Sequence, residues 1–499
     1  MAPRAAPVLA TQESIGRRRL IVLALFLVAI FLLGGASRED EVHLIVLRPL
    51  AILAGAYALS VARWDQLKEF AVPLGLLALL ALWMGLQLVP IPFDWWANLP
   101  GRSPYARLQE LAGMEPLARP MTLSVEGTLN ALMALTIPAS VLLLFAVQDN
   151  RNRARGLLLV GGLSLLSIIY GFVQYALPSG DSLHLYRISS GGFPVGLFAN
   201  RNHNAVMGGM MLLGLAWYFS TLTRRSPWLA LKVATAVGFA IILFMHGFIA
   251  ASRAGLVITG VSVIASFLFI KDAALLKGEG AARSRSRSKK TSPDAKWRKY
   301  IVPAGYVAGL ILILGVVFAT QQTQALDRLI QGDPLEENRG QVLPVLWEMT
   351  QAMLPLGSGF GSFEFAFRAF EPVEMLQPKF FNEAHNDLLQ WVIEGGIPAL
   401  LIAAAFGFWI AAKGLAAFRR ADTPNPQAGG SLGFRLSDAG LHRLAIIMIL
   451  QLVLASAVDY PLRTPIMMSW LAVLAVILAS KDKARGLPRP SSAPFERTA

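Results

Sequence analysis

Cysteine is absent from the 499 residues, which excludes disulfides, thiolate catalysis and cysteine-ligated metals and leaves the compartment open. Charge is scarce as well. Asp, Glu, Lys and Arg make up 15% of the chain against 55% hydrophobic residues, and mean hydropathy is +0.53. A soluble domain of this length needs far less apolar surface. Histidine is limited to six copies. They are scattered, with no His-Glu-x-x-His and no carboxylate pair at helical spacing beside His385, so neither a metal nor a cofactor is expected. No internal repeat is found.

The chain has long apolar stretches instead, at 20–36, 44–62, 70–91, 128–148, 156–176, 204–222, 228–250, 254–270, 300–320, 387–412, 442–459 and 465–480. They predict an all-α polytopic membrane protein of about twelve transmembrane helices. Most of the 45 basic residues fall in alternate connections: an arm with Arg17, Arg18 and Arg19, then 63–69, 149–155, 223–227, 271–299 and 413–443, and the C-terminal tail. By the positive-inside rule these are cytoplasmic, both termini included. The organisation expected is a cytoplasmic arm 1–19, five helices over 20–176, a second transmembrane region over 177–480 that includes the basic cytoplasmic loop 271–299 and the outer loop 321–384, and a disordered tail 481–499. Basic cluster, apolar run and small residues at the N-terminus imitate a signal peptide, but an uncleaved first helix fits the many later spans. The basic run 283–290 reads as a solvated loop ahead of anionic lipid or nucleic acid as a partner.

The translocated connections hold the information. Loop 92–127 carries Trp95, Trp96 and Tyr105 and reads as an interfacial aromatic belt. Loop 177–203 ends in Asn200-Arg201-Asn202-His203-Asn204. Loop 321–384 is the longest and predicts a folded, partly helical periplasmic cap. Its helix candidate runs from Arg339 to Met353, with Val342, Leu346, Met349 and Met353 on one face, a packing stripe. Arg253, in Ser252-Arg253-Ala254-Gly255 between two spans, needs a polar partner, because an arginine in lipid costs about 2.5–3.5 kcal/mol.

Glu383-Ala384-His385-Asn386-Asp387 is the most informative run. It stands where the long loop ends and a span begins, which puts His385 at the membrane–water boundary, within reach of a lipid-linked substrate.

In order, these pieces resemble the bacterial O-antigen ligase and O-antigen polymerase superfamily of membrane glycan transferases, over roughly 160–465. The resemblance rests on Gly196-Leu197-Phe198-Ala199-Asn200-Arg201-Asn202-His203-Asn204 and on the Ser252-Arg253 turn. Arg339, Trp347 and Pro355-Leu356-Gly357-Ser358-Gly359 follow, then His385-Asn386 with Glu394-Gly395-Gly396. Asp459 corresponds to an acidic residue of the last outer loop. Ala399 departs from the Gly, Thr or Tyr common in the ligase signature. The polymerase pattern of Arg with Gly eleven positions on is missing, since Phe198, Leu212, Ile264 and Thr350 stand there.

The resemblance implies metal-independent, inverting transfer of a glycan from undecaprenyl diphosphate to an acceptor hydroxyl on the periplasmic side. Arg253 and Arg339 would hold the diphosphate, because guanidinium forks bind phosphate bidentately. His385 would be the general base, histidine's ordinary pKa being about 6.5. Asn386, with Glu383 or Asp387, could orient it. Arg201, His203 and Asp459 are further candidates for substrate contact, and an Asp459–Arg463 salt bridge that only fixes the loop is the conservative alternative for that pair. Ligation to lipid A-core is favoured over polymerisation of lipid-linked repeats or another glycan acceptor. A transporter fits less well, because the charged candidates collect at the outer surface and not at the midplane. No nucleic acid partner is expected.

Overall fold

The structure, a computed structural model, describes residues 5–177, 180–224, 226–270, 334–376, 382–420, 434 and 436–481. It is all-α apart from a two-residue antiparallel ribbon in which Pro90 faces Pro120 and Ile91 faces Arg119. The helices are α1 Ala5–Leu33, α2 Leu44–Val61, α3 Trp64–Glu69, α4 Ala71–Gln87, α5 Phe93–Ala97, α6 Ser103–Leu111, α7 Val125–Ala134, α8 Thr136–Ala146 and α9 Asn150–Ala176. They continue with α10 Arg201–Thr221, α11 Leu229–Ile249, α12 Arg253–Ile270, α13 Pro334–Met353, α14 Phe363–Phe367, α15 Asp387–Arg419, α16 Ala439–Ser456 and α17 Pro465–Ala479.

Seven helices among the described residues are long and apolar enough to cross a membrane, α7 and α8 counting together as one. Of the other five expected spans, 70–91 and 465–480 are the shorter apolar helices α4 and α17. Spans 20–36 and 204–222 are helical, as α1 and α10, but are not among the seven. The stretch 300–320, the basic loop 271–299 and the tail after Lys481 lie outside the described residues.

Burial follows the apolar patterning. α17 is hydrophobic on every side, and Ile466, Met467, Trp470, Val473, Leu474 and Val476 are all buried, as befits a helix at the centre of a bundle. Its Trp470 indole donates to Ser164 Oγ at 3.0 Å. Small residues bring α10 and α12 into close contact: a Cβ on Gly209 would stand 2.8 Å from Ile258, and one on Gly255 would stand 2.4 Å from Ala205. At one end of the bundle Arg19 donates to the carbonyls of Val147 and Val61, at the C-terminal ends of α8 and α2, both at 3.1 Å. Cations belong at helix C-termini.

The predicted cap stripe is buried. Val342, Leu346, Met349 and Met353 join Phe363, Phe367, Ala384 and Ile393 in a second core. The cap therefore rests on the first turns of α15.

Candidate active site

The first turns of α10, α12 and α15 meet the C-terminal end of α16 at the end of the bundle opposite Arg19. Each first turn has its own local device. Asn200 Oδ1 accepts from Asn202 N at 2.9 Å, Ser252 Oγ from Gly255 N at 3.0 Å and Asn386 Oδ1 from Leu389 N at 3.0 Å. Three helix N-termini at one end each contribute positive partial charge there.

The expected run Asn200 to Asn204 divides its work. Asn204 is fully buried; it accepts from Ser167 Oγ at 3.1 Å and donates to Pro194 O at 2.9 Å, which pins the preceding loop. Asn202 Nδ2 donates to Asp459 Oδ2 at 2.7 Å. His203 is buried edge-on to Tyr460, with ring centroids 5.4 Å apart. The Arg201 guanidinium lies 4.1 Å above the Phe193 ring.

His385 has a left-handed backbone, with φ at +52°. Such a conformation costs a non-glycine residue about 1–2 kcal/mol and persists where its surroundings impose it. Here they do. Ala384 N donates to Gln390 Oε1 at 2.8 Å, Asn386 caps α15, and Asp387 N donates to Asp459 O at 3.3 Å. The imidazole Nδ1 faces Asp459 Oδ1 at 3.7 Å, and the ring lies 4.8 Å from that of Tyr460. The carboxylate beside the ring is thus Asp459, whereas Glu383 and Asp387, two residues either side of His385, turn elsewhere.

They turn to Arg463, and this corrects the expected Asp459–Arg463 pair. Arg463 Nε lies 3.2 Å from Glu383 Oε2 and 3.2 Å from Asp387 Oδ1, and Nη2 lies 3.4 Å from Glu394 Oε2. Gln390 Nε2 donates to Glu383 at 2.5 Å and to Glu394 at 3.1 Å, and Phe363 N donates to Glu394 at 3.2 Å. Burial first, then the neighbouring carboxylates Glu394 and Asp387, push the Glu383 carboxyl up to about 8 against the pull of Arg463. Burial alone would lower the Arg463 guanidinium; the three carboxylates outweigh it and raise it. Glu383 and Asp387 do stand four positions apart and Glu394 seven further on, which corrects the expectation of no carboxylate pair at helical spacing beside His385; that all three meet on Arg463 is not visible in the string.

The Pro-x-Gly-x-Gly and Glu-Gly-Gly segments dock onto each other. Gly396, at φ +63° and ψ −157°, breaks α15, and Ile397 N, Ser358 N and Gly359 N then donate to Pro355 O, Ile393 O and Glu394 O at 2.8–2.9 Å. From α4, Trp83 Nε1 reaches Gly395 O at 2.8 Å and Gln87 Nε2 reaches Glu394 O at 3.1 Å. A Cβ on Gly357 would come within 2.4 Å of Glu394 O, one on Gly396 within 2.3 Å of Pro355 O, and one on Gly361 within 2.3 Å of Gly127 O. These glycines serve backbone-to-backbone packing, and an interrupted helix at membrane depth is sustained because protein covers it.

Two of the expected arginines stand apart from this description. Arg253 is half-buried and opens α12, and Gly255 against Ala205 sets that end of α12 beside the first turn of α10. Arg339 falls on α13, outside the residues whose side chains are described.

Residues 204–404 match the family model described as O-antigen ligase. The match takes in Arg253, Arg339, His385, Asn386 and Glu394 and ends before Asp459. No curated protein matches the chain. Residues 204–404 are thus similar to the domain of the O-antigen ligase and O-antigen polymerase superfamily, whose members are membrane enzymes that transfer lipid-linked glycans.

Proposed function

We propose that this protein is an O-antigen ligase, moving a glycan from undecaprenyl diphosphate to a hydroxyl of lipid A-core on the periplasmic side of the inner membrane, with His385 as general base. The observation that supports it is His385 at the edge of α15, its Nδ1 turned to Asp459 and Asp459 held by Asn202. With Nδ1 assigned to Asp459, Nε2 takes the acceptor proton. The acceptor oxygen then bonds to the anomeric carbon as the bond from that carbon to the diphosphate breaks, and the configuration inverts. Asp459 stabilises the imidazolium that results, and the proton leaves with solvent.

The departing diphosphate gathers negative charge. Arg253, Arg339 and Arg201, together with the N-termini of α10, α12 and α15, are assigned to stabilise it. Asn386 is assigned to the helix start that aims the base.

The test is the lipopolysaccharide ladder of a deletion strain complemented with wild type or His385→Ala at equal protein level. Ligation predicts long chains on lipid A-core with wild type, and lipid-linked polymer accumulating with the variant. Single lipid-linked repeats accumulating would replace ligation by polymerisation. Full rescue by His385→Ala would remove the general-base role and return a transporter to consideration.

A further inference from the structure

We infer that Arg463 is a positioning residue: it clamps both flanks of the His385 turn and so sets the imidazole against Asp459. The inference rests on the reading of His385 as the base. One guanidinium nitrogen, Nε, lies 3.2 Å from a carboxylate two residues before His385 and 3.2 Å from another two residues after it, while Nη2 reaches Glu394 one helical layer further along α15. The five-residue turn is thereby closed around a single cation. This closure adds to the bonds of Ala384 N, Asn386 and Asp387 N in holding the left-handed backbone at His385.

Arg463 also belongs to the same short connection, 457–464, as Asp459 and Tyr460. The clamp therefore joins the segment that carries the imidazole to the segment that carries its carboxylate and its ring neighbour. Ser456 Oγ adds a bond to Asp387 Oδ2 at 3.2 Å from the end of α16, and Asp387 N binds Asp459 O. With its Nε and Nη2 turned to three carboxylates, Arg463 is directed away from a diphosphate. Glu39, on the loop between α1 and α2, lies within electrostatic range of Glu394 and Arg463, and of Arg48 on α2. A lysine offers one donor point and cannot span Nε and Nη2 at once.

The experiment uses the full-length protein in membrane vesicles of the source strain deleted for the gene, which carry the strain's own lipid-linked glycan and acceptor. Transfer rates across donor concentrations are compared, at equal protein, for wild type, Arg463→Gln, Arg463→Lys, Glu394→Gln and His385→Ala. A misaimed base predicts a kcat about tenfold to a hundredfold lower in Arg463→Gln, with KM for the donor within about twofold. Arg463→Lys should recover under about a third of the rate, and Glu394→Gln, which keeps the side-chain volume and sets an amide against the guanidinium, should lower kcat about threefold or more. If Arg463→Gln fails to accumulate, the rates of Arg463→Lys and Glu394→Gln decide. Wild-type kcat in both of these overturns the inference, as does a loss confined to KM. Failure of the underlying reading is separate: His385→Ala would then transfer at the wild-type rate.

Discussion

Asn202 and Asp459 are 257 positions apart in the chain, yet Nδ2 of one lies 2.7 Å from Oδ2 of the other. That bond ties the first turn of α10 to the connection after α16, and it fixes one carboxylate oxygen while the second faces His385.

A charge-assisted bond of this kind is worth about 1.5–3 kcal/mol. Asn202→Ala is expected to slow glycan transfer about tenfold or more, and Asn202→Asp to slow it further by placing a like charge beside Asp459. The rate of labelled glycan reaching the cell surface reads both. Asn202→Ala at the wild-type rate would mean that Asp459 keeps its orientation without this donor.

Glu383 gives stability a pH dependence of defined sign. Its carboxyl rises from 4.5 when free to about 8 in the fold, so the folded protein holds a proton that the unfolded chain releases earlier. The stabilisation is complete below about 4.5, declines as pH rises, and is gone above about 8. The thermal midpoint of the purified protein in detergent should fall across that window, and Glu383→Gln should flatten the fall. Equal slopes for the two proteins would contradict the assignment.

Gly359 has φ at +106°, and a Cβ there would stand 1.9 Å from Thr122 Oγ1 and 2.8 Å from Thr122 Cα. Gly359→Ala should cut the yield of folded protein sharply, and adding Thr122→Ala should not restore it, because the backbone clash and the positive φ both remain. Monodisperse protein from size-exclusion chromatography is the measure; recovery in the double variant would show the side chain alone to be the obstacle.

What the sequence made legible was local. Helical spacing marked the stripe Val342, Leu346, Met349 and Met353 that closes the cap core, and the junction of polar loop and apolar span marked His385. The partners of those residues were not legible. Arg463 lies four positions from Asp459, a natural salt-bridge spacing, yet its short connection turns it towards Glu383 and Glu394, 80 and 69 positions away. Asn202 and Asn204 look alike in a string. Helix geometry sends one to Asp459 and the other into the bundle against Ser167 and Pro194. The glycine segments were readable as turns, while their docking onto each other needs the coordinates of both.

The break at Gly396 also bears on how the enzyme meets bilayers of different thickness. A straight helix of 33 residues would be about 50 Å long against a hydrocarbon core of about 30 Å. Since residues 387–395 are bonded to the cap and to α4, the portion after Gly396 is the part that takes up mismatch by tilting. Under the proposed role of His385, the distance between the base and a carrier lipid's headgroup is then set by the protein fold and not by the lipid around it.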